Sequence, residues 1–160
     1  MTAPDALDAL DHDRHVRRAI DLAREAGERG DPPYGSLLVR DGAVVAEARN
    51  RERTDGDIAL HPELSLARRA AREADPAERA RTVMYTSTEP CPMCASGVAV
   101  AGLGAVVFSV SADRARRDGR GAPALDCATV LDAWDADAAV RGPVLPGEGI
   151  AVHEEYPAGD

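Results

Sequence analysis

The chain contains no lysine; its 19 basic side chains are all arginine, against 28 acidic ones. We read that gap as a composition bias of the genome, without functional content. Aromatic residues are nearly as scarce, at 3%, so Ala, Val and Leu must fill the interior. Three cysteines, an odd number, give no disulfide framework and point to a reducing, cytoplasmic setting. No apolar run approaches the length needed to cross a bilayer. The first thirteen residues are acidic and broken by Pro4, the opposite of a secretory leader.

What is present suits one globular domain: 160 residues, 44% of them hydrophobic, with residues 1–12 expected as a flexible tail. The formal net charge of −9 argues against a long nucleic acid, because binding a polyanion rests on basic contacts to phosphate. A small substrate is favoured.

Periodicity gives the elements. Spacings of three and four predict an amphipathic helix over Asp13–Gly30, with His12 and His15 expected as exposed residues at its start. Tyr34–Arg40 and Ala43–Ala48 read as a hairpin around Asp41-Gly42. A helix is expected after Pro62, and strands over Arg81–Ser87 and Ala105–Val110, the latter an apolar run suited to burial on both faces. An Arg-rich and Gly-rich loop is expected from Ser111 to Pro123, then partial helix over Asp126–Ala139. Ile150–His153 is expected as a last short strand or tail segment.

The chemistry is concentrated in His61-Pro62-Glu63 and, about thirty residues on, Pro90-Cys91-Pro92-Met93-Cys94. One imidazole and two thiolates suit Zn²⁺ and leave a fourth position for water. Residues two apart on a regular helix point about 200° from one another, so His61 and Glu63 share a site only if His61 is the cap. Proline next to it fits, being well accepted in a first turn. Cys91 and Cys94 lie three apart at a helix start, whose positive end favours thiolate. A closed structural site would need Cys127, His153 or an N-terminal histidine as fourth ligand, and none has motif spacing to the others. An open, catalytic zinc is therefore expected, with Glu63 as the group that moves protons.

On these motifs, with Tyr34-Gly35, the Asp41-Gly42 hairpin, Asn50 and Thr88-Glu89, the chain resembles the cytidine deaminase-like superfamily, in the branch of small cytosine, guanine and tRNA-adenosine deaminases. The resemblance runs from Tyr34 to Val107; Pro62 departs from it, where the family more often has alanine. It implies a three-layer α/β/α fold with a five-stranded mixed sheet and a homodimer. It also implies that Asn50 binds the base and that backbone near Thr88 and Glu89 lines the leaving-group side. By itself, an Asn just past a strand is most often a turn residue, with an amide that can also read a substrate's carbonyl and ring nitrogen. Guanine deaminases of this branch resemble the chain in an Asp just past the fourth strand, here Asp113, and in a C-terminal segment closing the pocket, here with Tyr156. The plainer readings are a strand-end turn residue and a solvated tail.

The expectation is a zinc-dependent deaminase of a free base or small amino-heterocycle, with guanine first. Cytosine or a nucleoside, then tRNA adenosine, are the alternatives. A catalytically inactive zinc fold serving as a binding module is the alternative of another class.

Overall fold

The computed structural model describes residues 7–157. In chain order they form α1 (His12–Glu28), β1 (Gly35–Arg40), β2 (Ala43–Arg49), α2 (Glu52–Asp55), α3 (Pro62–Glu73), α4 (Pro76–Ala80) and β3 (Thr82–Thr88). These are followed by α5 (Pro92–Ala101), β4 (Ala105–Val110), α6 (Ala112–Arg117), α7 (Cys127–Ala133), β5 (Ala139–Arg141) and α8 (Pro146–Glu155). The five strands make one mixed sheet in the order β2-β1-β3-β4-β5, with β1 antiparallel to both neighbours and β3, β4 and β5 parallel.

Strand alternation divides the core in two. Leu37, Val39, Val83, Tyr85 and Val107 face one side and pack under α1 and α8. Leu38, Met84 and Val106 face the other and pack under α3, α5 and α7. Because both faces are covered, β3 and β4 are buried along their whole length. The architecture is therefore the three-layer α/β/α sandwich expected from the sequence.

Several local expectations change. The expected tail over 1–12 lies outside the described residues as far as residue 6. From Leu7 on, the chain packs against the body, Leu7 being buried in the core. His12 and His15 are not exposed. His15 is buried with its ring 4.8 Å from that of Tyr85, and His12 Nδ1 lies 2.8 Å from the Tyr85 hydroxyl. The reason is Tyr85 itself: a buried phenol needs a polar partner, and α1 supplies one.

The loop expected after Val110 begins as α6. Ser111 caps it by accepting from the Arg114 N–H, and Ala and Arg are good helix formers. Ile150–His153 is helical, inside α8, with Pro146 in its first turn; the fifth strand is Ala139–Arg141. Three apolar residues in a row imitated a strand there. Asp75-Pro76 lies just past the end of α3. It opens α4 through a capping box, with Asp75 accepting from the Glu78 N–H and Glu78 accepting from that of Asp75.

One contact positions the hairpin under α1. A Cβ placed on Gly35 would stand 2.4 Å from the Ala23 nitrogen and 2.5 Å from the Ala19 oxygen, both main-chain atoms. The helix backbone rests directly on the strand there, with nothing flexible to move aside. We expect Gly35→Ala to destabilise the fold by about 1–3 kcal/mol or more, the range for overpacking a close-packed core. A urea midpoint unchanged from the parent's would contradict this.

Candidate metal centre and active-site cavity

The site sits at the carboxyl end of β3, where open α/β sheets hold their ligands. Two helices begin there. His61 is the N-cap of α3 and Cys91 the N-cap of α5, both with extended backbone, so His61 stands outside the regular helix as its spacing to Glu63 requires. Pro62 and Pro92 occupy the first turns, where their missing N–H groups cost nothing.

His61 Nδ1 lies 3.7 Å from Cys91 Sγ and 3.5 Å from Cys94 Sγ. A tetrahedral zinc with Zn–N near 2.05 Å and Zn–S near 2.3 Å has an N–S edge of about 3.6 Å, so the donors stand at the separations that ion requires. Among the described residues no fourth ligand joins them. Cys127, the first residue of α7, is buried in the core shared with α3 and α5, where burial pushes its thiol up to about 12. His153 is engaged by Thr88, and His12 and His15 lie against Tyr85. The closed structural site is therefore absent among these residues, and His61, Cys91 and Cys94 form an open group able to hold one zinc. Hydrogen bonding from Cys94 and from His61 draws the Cys91 thiol down to about 4, while its partnership with Cys91 lifts His61 to about 9. Binding a divalent ion expels those shared protons.

Glu63 lies on the inner side of α3, 5% exposed. Burial raises its pKa, and the hydrogen bond from Thr86 Oγ to Glu63 Oε1, at 2.7 Å, works against that rise. Thr86 in turn receives a hydrogen bond from Ser36 Oγ at 2.8 Å. A relay of two buried hydroxyls thus fixes one carboxylate oxygen and leaves the other free. Thr86 was missed as a site residue, although it is legible: alternation puts it on the same face as Met84, and a polar side chain on a core-facing position asks for a partner.

A cavity of about 540 Å³ opens beside these groups, lined among others by Glu52, His61, Glu63, Thr88, Tyr34 and Tyr156. Of the residues proposed from sequence for substrate contact, Thr88, Glu89 and Tyr156 line it. The Glu89 carboxylate, however, turns back into the protein. It accepts from the Ala112 N–H at 2.6 Å and the Cys127 N–H at 2.9 Å, fastening the starts of α6 and α7 with one side chain.

Asp113 does not reach the cavity. As the second residue of α6 it points outward and pairs with Arg116 and Arg117, at 2.7 and 3.0 Å, while Ala112 and Ala115 line the wall. Continuation of the strand into a helix reversed its direction relative to a strand-end turn. Asn50 does not line the cavity either. It is fully buried, and its amide is engaged by Glu52 at both ends.

The C-terminal segment lines the cavity through Glu155, Tyr156 and Pro157. Arg120, itself a lining residue, donates to the main-chain oxygens of His153 and Tyr156, and the Tyr156 ring lies against Gly27 on the last turn of α1. A Cβ on Gly27 would stand 2.5–2.8 Å from that ring, so only glycine leaves room for it. Under this segment His153 Nε2 is 3.0 Å from the Thr88 hydroxyl, and its Nδ1 is buried without a partner.

An α/β sheet carrying an open His-Cys-Cys group with a buried glutamate beside it defines a zinc-binding site of the base-deaminase type. Residues 10–110 match the family described as the cytidine and deoxycytidylate deaminase zinc-binding region, and the chain belongs to that family. It is 34% identical over 90 residues to a guanine deaminase of Bacillus subtilis, covering 56% of this chain and 58% of that one. It is 38% identical over 83 residues to a tRNA-specific adenosine deaminase of Agrobacterium fabrum, covering 52% and 55%. These matches span little more than half the length of either relative. A solved structure from a study of A-to-I editing by tRNA:A34 deaminases superposes with a TM-score of 0.71 at 26% identity, covering 87% of this chain and 98% of that one.

Burial lowers the His153 pKa to about 4 in the folded protein, against an ordinary value of 6.5. Between those two values the unfolded chain binds a proton at this ring that the folded chain refuses. The contribution of the neutral ring is thus complete above about pH 6.5 and is lost as pH falls toward 4. We expect the melting temperature to drop from pH 7 to pH 4.5, and to drop less in His153→Gln. Equal drops in parent and variant would assign the effect to other groups.

Proposed function

We propose that this chain is a zinc-dependent hydrolase that deaminates a free purine base, with guanine as the first candidate. The observation that carries the reaction class is the buried Glu63 carboxylate, held by Thr86 on one oxygen and placed beside the His61-Cys91-Cys94 group. A zinc ion bound there supplies a water acidified to a pKa of about 7. Glu63, through the oxygen that Thr86 leaves free, takes a proton from the attacking water and delivers it to the ring nitrogen next to the amino-bearing carbon. It then takes the proton of the hydroxyl newly added to that carbon and gives it to the departing amine, so that ammonia leaves and a carbonyl remains. Burial raises the pKa of this carboxyl group, which favours its holding the proton it carries between the two partners. Thr88, Glu89, Tyr34 and Tyr156 line the cavity; in this reading the main chain at the first two serves the leaving-group side and the two tyrosines offer ring faces to a planar base.

Guanine presents N–H donors along one edge, and the Glu155 carboxylate at the cavity wall is an acceptor of matching type. Asp113, turned outward, plays no part in this reading. The second reading, deamination of an adenosine in tRNA, is favoured by the similarity to the Agrobacterium enzyme and by Arg53 and Arg120 at the cavity mouth. The net charge of −9 weighs against it. The three free cysteines suit a reducing, cytoplasmic setting. No helix among the described residues is long and apolar enough to cross a membrane.

We also propose a homodimer formed through α5. This helix leaves Met93 and Val100 exposed, and exposed Trp134 stands beside them with its indole N–H bonded to Ser96. Sedimentation equilibrium is expected to give twice the chain mass, and Val100→Glu to shift it toward the monomer. A monomeric parent at tens of micromolar would refute this assignment.

Ammonia release from guanine, cytosine, adenine, their nucleosides and a tRNA anticodon stem-loop tests the activity. Guanine is expected to respond most strongly, and Glu63→Gln to keep one zinc per chain while losing about 10²–10⁴-fold in turnover. Turnover of the stem-loop alone would establish the second reading. A Gln variant as fast as the parent would refute the role of Glu63.

A further inference from the structure

His153 stands behind the cavity wall and touches three of the residues that form it. Its Nε2 is 3.0 Å from the Thr88 hydroxyl, its ring meets that of Tyr34 edge to face at 5.9 Å, and its main-chain oxygen accepts from Arg120. Tyr34, Thr88 and Arg120 all line the cavity, whereas His153, 3% exposed, is not among the lining residues. The ring belongs to α8 and Thr88 is the last residue of β3, so the contact joins the C-terminal helix to the strand that leads into Cys91.

Burial and the neighbouring Arg120 charge keep this ring neutral near pH 7, so it carries one proton on one of two nitrogens. Where that proton sits decides what Thr88 can offer. With the proton on Nδ1, Nε2 accepts from the Thr88 hydroxyl, which then has nothing left to donate. With the proton on Nε2, the ring donates to Thr88 Oγ, and Thr88 keeps its own proton for another acceptor. The surroundings of Nδ1 separate the two cases. Among the described residues no group lies within hydrogen-bond reach of it. A buried N–H without an acceptor is the rarer and costlier orphan, and a bare lone pair the more tolerable one. The proton therefore belongs on Nε2.

We infer that His153 is a positioning residue for the substrate wall. By donating from Nε2 to Thr88 Oγ, it leaves the Thr88 hydroxyl as a donor toward an acceptor on the base, a ring nitrogen or a carbonyl oxygen. Thr88 stands three residues before Cys91, which places this donor at the metal end of the cavity. A heterocycle that turns an N–H toward Thr88 sets donor against donor and is disfavoured, which makes the hydroxyl a specificity determinant. The inference deepens the deaminase reading above and rests on it for the substrate, whereas the position of the His153 proton is a property of the chain alone.

Two readouts test it. Long-range ¹⁵N–¹H correlation spectra of the full chain at pH 7 show which ring nitrogen is protonated, the His153 signals being those lost in His153→Gln. The Nε2–H tautomer is expected, and the Nδ1–H tautomer would overturn the inference. Kinetics on the base that responds in the ammonia assay give the second readout. Thr88→Val and His153→Leu are each expected to raise KM about 3–10-fold, the effect of losing one neutral hydrogen bond, with a smaller change in kcat. The double variant is expected to lose no more than either alone. Thr88→Ser keeps the hydroxyl, and His153→Gln has an amide N–H to give in place of Nε2–H, so both are expected near the parent KM. If His153→Leu does not fold, the Val and Ser variants of Thr88 carry the comparison. A Thr88→Val enzyme with the parent's KM would overturn the inference whatever the tautomer. A parent that deaminates no base refutes the function proposed above, a failure distinct from a proton found on Nδ1.

Discussion

The organising constraint is the convergence of two helix starts on one point. Three soft donors have to stand about 3.6 Å apart. The chain achieves this by making His61 and Cys91 the N-caps of α3 and α5 and placing Cys94 one turn further in. Each cap is followed by a proline, which fixes the turn without sacrificing a hydrogen bond. The packing of α3 and α5 side by side over Leu38, Met84 and Val106 then sets the distance between the two ends. Everything else at the site is arranged around that meeting point. Glu63 lies one residue past the first proline, and the hydroxyls that hold it come from the strands beneath.

Burial costs recur through the site and are offset each time by a local partner. The Glu63 carboxylate has Thr86, the Tyr85 phenol has His12, and the Glu89 carboxylate has two main-chain N–H groups. Each would be expensive if left alone. His153 is the exception, since one of its ring nitrogens is buried without a partner. Its neutrality at pH 7 is what makes that position tolerable.

Legibility in the sequence followed locality. The metal group, Glu63 and the cap role of His61 were readable because they depend on spacing within a few residues and on the chemistry of the side chains. The α/β/α layering was expected from the resemblance, and the order of apolar runs agreed with it. What failed depended on where a segment travels. Asp113 looked like a residue at a strand end, but Ser111 starts a helix and turns it outward. Ile150–His153 has the composition of a strand and the position of a helix. Glu52 lies in a polar stretch without apolar periodicity, and only the fold brings it within 3.3 Å of His61 Nε2. His12 and His15 were misplaced for the same reason, because nothing near them in sequence announces Tyr85, some seventy residues away.

The double attachment made by Glu89 has a consequence for how this wall can vary. Residues 112–127 form much of the surface that faces a substrate, yet they hang from the residue two before Cys91 through main-chain N–H groups alone. Such a joint does not sense side chains. Between the two attachment points, side chains without contacts of their own can vary while the metal ligands keep their register, provided that two amides return to the same carboxylate; Arg120, which donates to the His153 and Tyr156 oxygens, is the tie such variation would lose. Proline, which has no N–H to offer, is the residue this joint excludes at positions 112 and 127.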